Sequence, residues 1–132
     1  MSERSGISPS AGDIDAMARA ALGGLPERFR RLVADVVLRV DEFPSDEICD
    51  DMGLESAFDL MGLYQGVSLD QKSVMDAAQN PDMIFLYRRP LLDHWCETGE
   101  PLDHLVRHVL VHEIGHHFGL SDADMEAIEN ST

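Results

Sequence analysis

The chain has 132 residues, with 25 Asp and Glu against 10 Lys and Arg, a formal charge of -15. That length suits one domain with a continuous core, and an apolar fraction of 44% is ordinary for a globular protein. Nucleic acid and membrane surfaces are excluded as expected partners, because both are held chiefly through clustered Lys and Arg, and Lys72 is the only lysine.

In chain order, residues 1–12 (MSERSGISPSAG) are rich in Ser, Gly and Pro and read as a flexible N-terminal tail; residues 13–132 read as the single folded domain. Asp13 is the expected cap of a helix over Ile14 to Leu22, and Pro26 the start of a second helix through Phe29 and Leu32. Val36 to Val40 is a β-branched run, hence a strand, stopped by Pro44. Ser45 to Met52 suits one or two acidic helical turns. Asp59 to Leu69 carries Gly62 and Gly66 and reads as a strand or loop, and Asn80-Pro81 breaks the chain.

Met83 to Tyr87 (MIFLY) is an unbroken apolar run, expected as a strand buried on both faces. Pro90 to Glu97 suits a short helix. Pro101 then opens the longest helical pattern, with Leu102, Leu105, Val106, Val109, Leu110, Ile114 and Phe118 at spacings of three and four. Gly119 ends it, and Ser121 is positioned to cap a last helix to about Glu129, with Asp124 in a capping-box position.

No run approaches the roughly 18 apolar residues of a membrane span, and the first residues are polar, so the expected location is cytoplasmic. Cys49 and Cys96 show no metal or disulfide spacing and are expected reduced, Cys96 packed beside Trp95. The acidic excess is uneven: residues 35–82 carry twelve acidic and two basic groups, the first 34 residues four and five, and the last fifty nine and three. The middle third is therefore the expected acidic face, and its ordinary role is solubility.

The stretch that carries chemistry is His112-Glu113-Ile114-Gly115-His116-His117-Phe118-Gly119-Leu120-Ser121-Asp122. Four residues apart on a helix, His112 and His116 point the same way and can reach one metal ion. Two imidazoles suit zinc, and Glu113, on the flank of that face, can reach a metal-bound water. Gly119 can turn the chain back in a left-handed conformation, which brings Asp122 round as a candidate third ligand.

Blander roles stand beside these. His112 and His116 can serve as ordinary helix histidines, and Asp122 can simply favour the first turn of the last helix. His108, four residues before His112, offers another pair but lacks a Glu and a Gly in register. His104 and His94 are weaker candidates still, and His117, about 100° round the helix from His116, suits packing.

HEIGHHFGLSD followed by ADMEAIE resembles the signature of the small bacterial zincin-like, or minimal, metallopeptidases with the HExxHxxGxxD motif. The likeness extends upstream through Ile84 to Leu91, Gly62 to Val67, and Leu25-Pro26-Glu27, so it covers about residues 25–129. It implies a compact α+β zincin-like fold in which a small mixed sheet packs against helices, including the HExxH helix. It also implies Zn2+ held by His112, His116 and Asp122, with Glu113 as general base. The pattern is similar to that of metzincins with Asp in place of the third His. Only ten residues follow Asp122, which leaves no room for a distal methionine turn, and Met125 is too close to supply it.

The function expected is hydrolysis of peptide bonds by a zinc-activated water, on a peptide or protein substrate for which an extended, basic chain is the candidate. The strand at Met83 to Tyr87 is a candidate for pairing with it, provided an edge is open. Tyr87, Arg88 and His117 are candidate oxyanion donors. The alternative is a non-proteolytic metal-binding protein of interaction or regulation that docks an extended peptide. A purely structural zinc site is disfavoured, because such sites usually close the shell with a fourth protein ligand, often Cys. Oligomeric state is not encoded in any of these features.

Overall fold

Burial of apolar faces organises the chain into six helices and three strands, in a computed structural model that describes residues 8–66 and 82–130. The helices are α1 (Ala11–Gly23), α2 (Glu27–Leu32), α3 (Asp46–Met52), α4 (Arg88–Thr98), α5 (Leu102–Phe118) and α6 (Asp122–Glu129); the strands are β1 (Val37–Asp41), β2 (Gly62–Gln65) and β3 (Met83–Tyr87). A 3-10 turn, Ala57–Asp59, precedes β2. This is the expected α+β class with a small mixed sheet. The expectations at residues 1–7, at Val67 to Leu69 and at Asn80-Pro81 lie outside the described residues.

The strand order is β1-β3-β2, with β1 parallel and β2 antiparallel to β3. β3 is therefore the central strand, and both its edges are used. The condition set for pairing with substrate, an open edge on Met83 to Tyr87, is therefore not met. Its burial also differs from the expectation: Ile84 and Leu86 are fully buried on one face, whereas Met83 and Phe85 on the other are only half-buried. The helices cover one face of the sheet more completely than the other.

The longest helix, α5, buries Leu102, Leu105, Val106, Val109, Leu110, Val111, Ile114 and Gly115. It packs against α1, which contributes Ile14 and Ala18, and against the sheet at β2, with Ile84 and Leu86 of β3 in the same core. At Gly62 the approach is so close that a β-carbon would come within 2.6 Å of Val109 Cγ1, so β2 lies directly on the helix.

Local chemistry sets the boundaries. α1 starts at Ala11, two residues before the expected cap, because Ser10 and Asp13 form a reciprocal capping box. The Arg88 guanidinium holds the preceding residues, donating to Pro9 O at 2.7 Å and Ser8 Oγ at 3.2 Å. α4 begins at Arg88 rather than Pro90, since Pro within the first helical turn lacks only a hydrogen that would be unpaired anyway. Cys96 is exposed, contrary to the packed position expected beside Trp95, and both cysteines are free. No helix among the described residues is long and apolar enough to cross a membrane.

Candidate metal centre

α5 carries His112, Glu113 and His116 on its last two turns, and Gly119 follows in the left-handed conformation at φ 69°. Only glycine takes that conformation without strain, and here it turns the chain into α6. Ser121 caps α6, accepting from Asp124 N–H while Asp124 accepts from Ser121 N–H. Asp124 is thereby committed to the cap. Asp122, in the same first turn, stays exposed and bears electrostatically on His112.

Met125 of α6 is buried beneath the motif. A β-carbon at Gly115 would collide with Met125 Sδ and lie 2.7 Å from its Cγ, so the glycine in HEIGH is what lets the two helices close. The sequence alone does not reveal this contact, and Met125 lies too near Asp122 in sequence to supply a distal methionine turn.

The rings of His112 and His116 are 5.9 Å apart between centroids and perpendicular. Two imidazoles that bind one zinc through nitrogens at about 2.1 Å bring their centroids to roughly 5 Å, so the pair needs only small rotations to share an ion. His116 and Asp122 are both exposed, and with His112 they do not form a group whose ligand atoms all lie within 4.8 Å of one another. Among the described residues, the group whose ligand atoms all lie within 4.8 Å of one another is His108, His112 and Glu129. In sequence, His108 is a weak candidate because it lacks a Glu and a Gly in register, and Glu129 carries no signal as a ligand. The i, i+4 spacing of His108 and His112 was a usable signal; nothing local announced Glu129.

Glu113 lies on the sheet side of the motif. Its Oε1 accepts the backbone N–H of Tyr64 at 3.3 Å. Burial raises its carboxyl above the usual range, and the Tyr64 N–H and His116 oppose that shift without cancelling it. The His112 imidazole is pushed down, first by burial and then by His108. Both shifts favour the forms that a metalloenzyme uses: a neutral imidazole for ligation and a carboxylate of increased basicity.

Tyr64 is the junction between strand and site. Pairing alternates along β2: Tyr87 N–H donates to Met61 O, so two and three residues on, Leu63 faces β3 and Tyr64 directs its N–H outward to Glu113. Its hydroxyl donates to Asp82 Oδ2 at 2.9 Å, and its ring stacks on His117 at 3.9 Å. His117 thus takes the packing role expected of it.

Of the three candidate oxyanion donors, Arg88 and His117 are engaged elsewhere and Tyr87 is enclosed. Arg88 is paired with Glu42 at 2.8 Å, and the Tyr87 side chain is only 1% exposed. The Tyr87 hydroxyl has no hydrogen-bond partner among the described residues, and burial pushes its pKa up to about 12.

The donor chemistry fits zinc: imidazoles in helical register, a carboxylate one turn beyond, and no need of Cys. No curated protein matches the chain. The sequence pattern of the family described as zincin-like metallopeptidase matches residues 33–132, which include α5, α6 and the whole sheet. Three-quarters of the sequence is thus accounted for by one pattern, and the chain belongs to the zincin-like metallopeptidase family.

Proposed function

We propose that the protein is a zinc-dependent peptidase in which His112, His116 and Asp122 hold the metal and Glu113 is the general base. The observation that carries this reading is the setting of Glu113, half-buried between the histidine-bearing helix and the outer edge of β2, with its carboxyl raised and Tyr64 N–H on one oxygen. Zinc, when bound there, supplies Lewis acidity toward the scissile carbonyl and toward a water.

Glu113 accepts a proton from the attacking water through the carboxylate and returns it to the departing amine nitrogen. Burial makes this exchange more favourable by bringing the carboxyl nearer the working pH. His112 and His116 fix the direction of attack, since both are anchored on the same rigid helix as the base.

An extended peptide has a natural place along β2, the strand that pairs only on its β3 side among the described residues. Outward groups such as Tyr64 N–H belong to that edge, so an incoming strand and Glu113 compete for or share the same donor. The strongly acidic chain favours a basic substrate.

Glu113→Gln is expected to retain zinc and to lower peptide hydrolysis by at least about a hundredfold. Zinc content by atomic absorption and turnover on a peptide library, measured together, check it; turnover equal to that of the wild type overturns the assignment.

A further inference from the structure

His108, His112 and Glu129 bring two imidazoles and a carboxylate together one turn earlier on the motif helix. We propose that these three residues hold a divalent cation of zinc type in a second register, which competes with the first for His112.

The geometry is close to what such an ion requires. Ligands at about 2.0–2.1 Å around a tetrahedral ion lie about 3.4 Å from one another. His108 Nδ1 and Glu129 Oε1 are 2.7 Å apart, and His112 Nε2 and Glu129 Oε2 are 3.8 Å apart. One separation is shorter than the ideal and the other longer, so small side-chain rotations make both match. The His108 and His112 ring centroids are 4.2 Å apart, closer than the roughly 5 Å of two imidazoles on one zinc, so these rings must also separate slightly.

The backbone that carries the carboxylate is fixed. Ile128, beside Glu129, is buried, and its carbonyl accepts from Arg107 Nη2 at 2.7 Å, tying the end of α6 to the middle of α5. Glu129 is also the last residue of α6, where the negative end of the helix dipole favours a cation. An ion has a way in, because His108 and Glu129 line an open cavity of about 420 Å³ shared with Glu100 and His104. Side-chain exposures of 50% for His108, 34% for His112 and 24% for Glu129 leave space for water to complete the shell.

A neutral imidazole ligates through one nitrogen at a time, so His112 serves one register or the other. An ion in the second register takes His112 away from His116 and Asp122. The competition rests on the function proposed above; the existence of the second register does not.

The test uses the metal-free full-length chain titrated with Co2+ alone, read by its visible ligand-field absorption and by calorimetry. His116→Ala with Asp122→Ala dismantles the first register at exposed positions, and this variant is expected to bind one Co2+. Adding His108→Ala and Glu129→Gln is expected to weaken that binding about a hundredfold or more. No binding by the first variant, or equal binding after the added pair, overturns the second register. The wild type is expected to bind one equivalent; two equivalents overturn the competition.

The variant with only His108→Ala and Glu129→Gln isolates the first register. If it binds no metal while the His116→Ala, Asp122→Ala variant does, the proposed catalytic ligands are wrong and the second register stands. As a measurement on the unaltered chain, side-chain NMR with substoichiometric Zn2+ is expected to shift the His108 ring; an unmoved His108 ring counts against the proposal.

Discussion

At Glu113 the setting that suits the proposed chemistry comes at the expense of stability. Its carboxylate is withdrawn from water and receives one backbone N–H, so its pKa in the folded chain lies above the unfolded value. Its stabilising contribution is therefore complete below the unfolded pKa and is lost as pH rises through the folded one. Glu113→Gln keeps an oxygen for Tyr64 N–H but carries no charge to desolvate. In chelator-treated protein this variant is expected to melt above the wild type at pH 7, with the difference closing as pH falls toward about 4. Thermal unfolding at several pH values checks it, and a difference independent of pH contradicts it. Tyr87 carries a cost of the same kind, with no chemistry assigned to it: a phenol enclosed by the core with no partner among the described residues.

The turn between α5 and α6 separates two carboxylates that look alike in sequence. Asp124 accepts from the Ser121 N–H, while Asp122 is free of the cap and lies where its charge reaches His112. Asp124→Ala is expected to cost about 1 kcal/mol of stability and to leave zinc affinity nearly unchanged. Asp122→Ala is expected to reverse the pattern, losing affinity with little effect on melting of the metal-free chain. Denaturant unfolding and competitive chelator titration of both variants check this; a larger affinity loss for Asp124→Ala overturns the choice of ligand. Helix α6 can approach at all because Gly115 leaves room for Met125.

Over the whole molecule, the -15 charge acts as a distributed repulsion that local contacts relieve only in part. The ion pairs Arg19–Asp15, Arg31–Glu27 and Arg39–Asp41 are at the surface and mostly exposed, and such pairs contribute about 0–1 kcal/mol each. Salt screens both, but the repulsion involves many more charges. Melting temperature of the metal-free chain is therefore expected to rise between about 0.01 and 0.3 M sodium chloride, as the screening length falls below about 10 Å. Differential scanning calorimetry checks it, and a falling melting temperature would show that the ion pairs outweigh the repulsion.

The amino-acid sequence determined the helical register of His112 and His116, the flanking position of Glu113, the left-handed stop at Gly119 and the cap at Ser121, because these depend on neighbours within four residues. It also determined most element boundaries, through apolar spacing, proline and glycine. The packed chain alone decided that β3 is central, since pairing order depends on which strands meet across long separations. It alone brought Tyr64 to Glu113, 49 residues apart, and Glu129 to His108, 21 residues apart. The sequence holds no local trace of such meetings: they follow from how the buried faces of α5, α6 and the sheet fit together, and that fit fixes what surrounds the base and which carboxylates can approach the histidines.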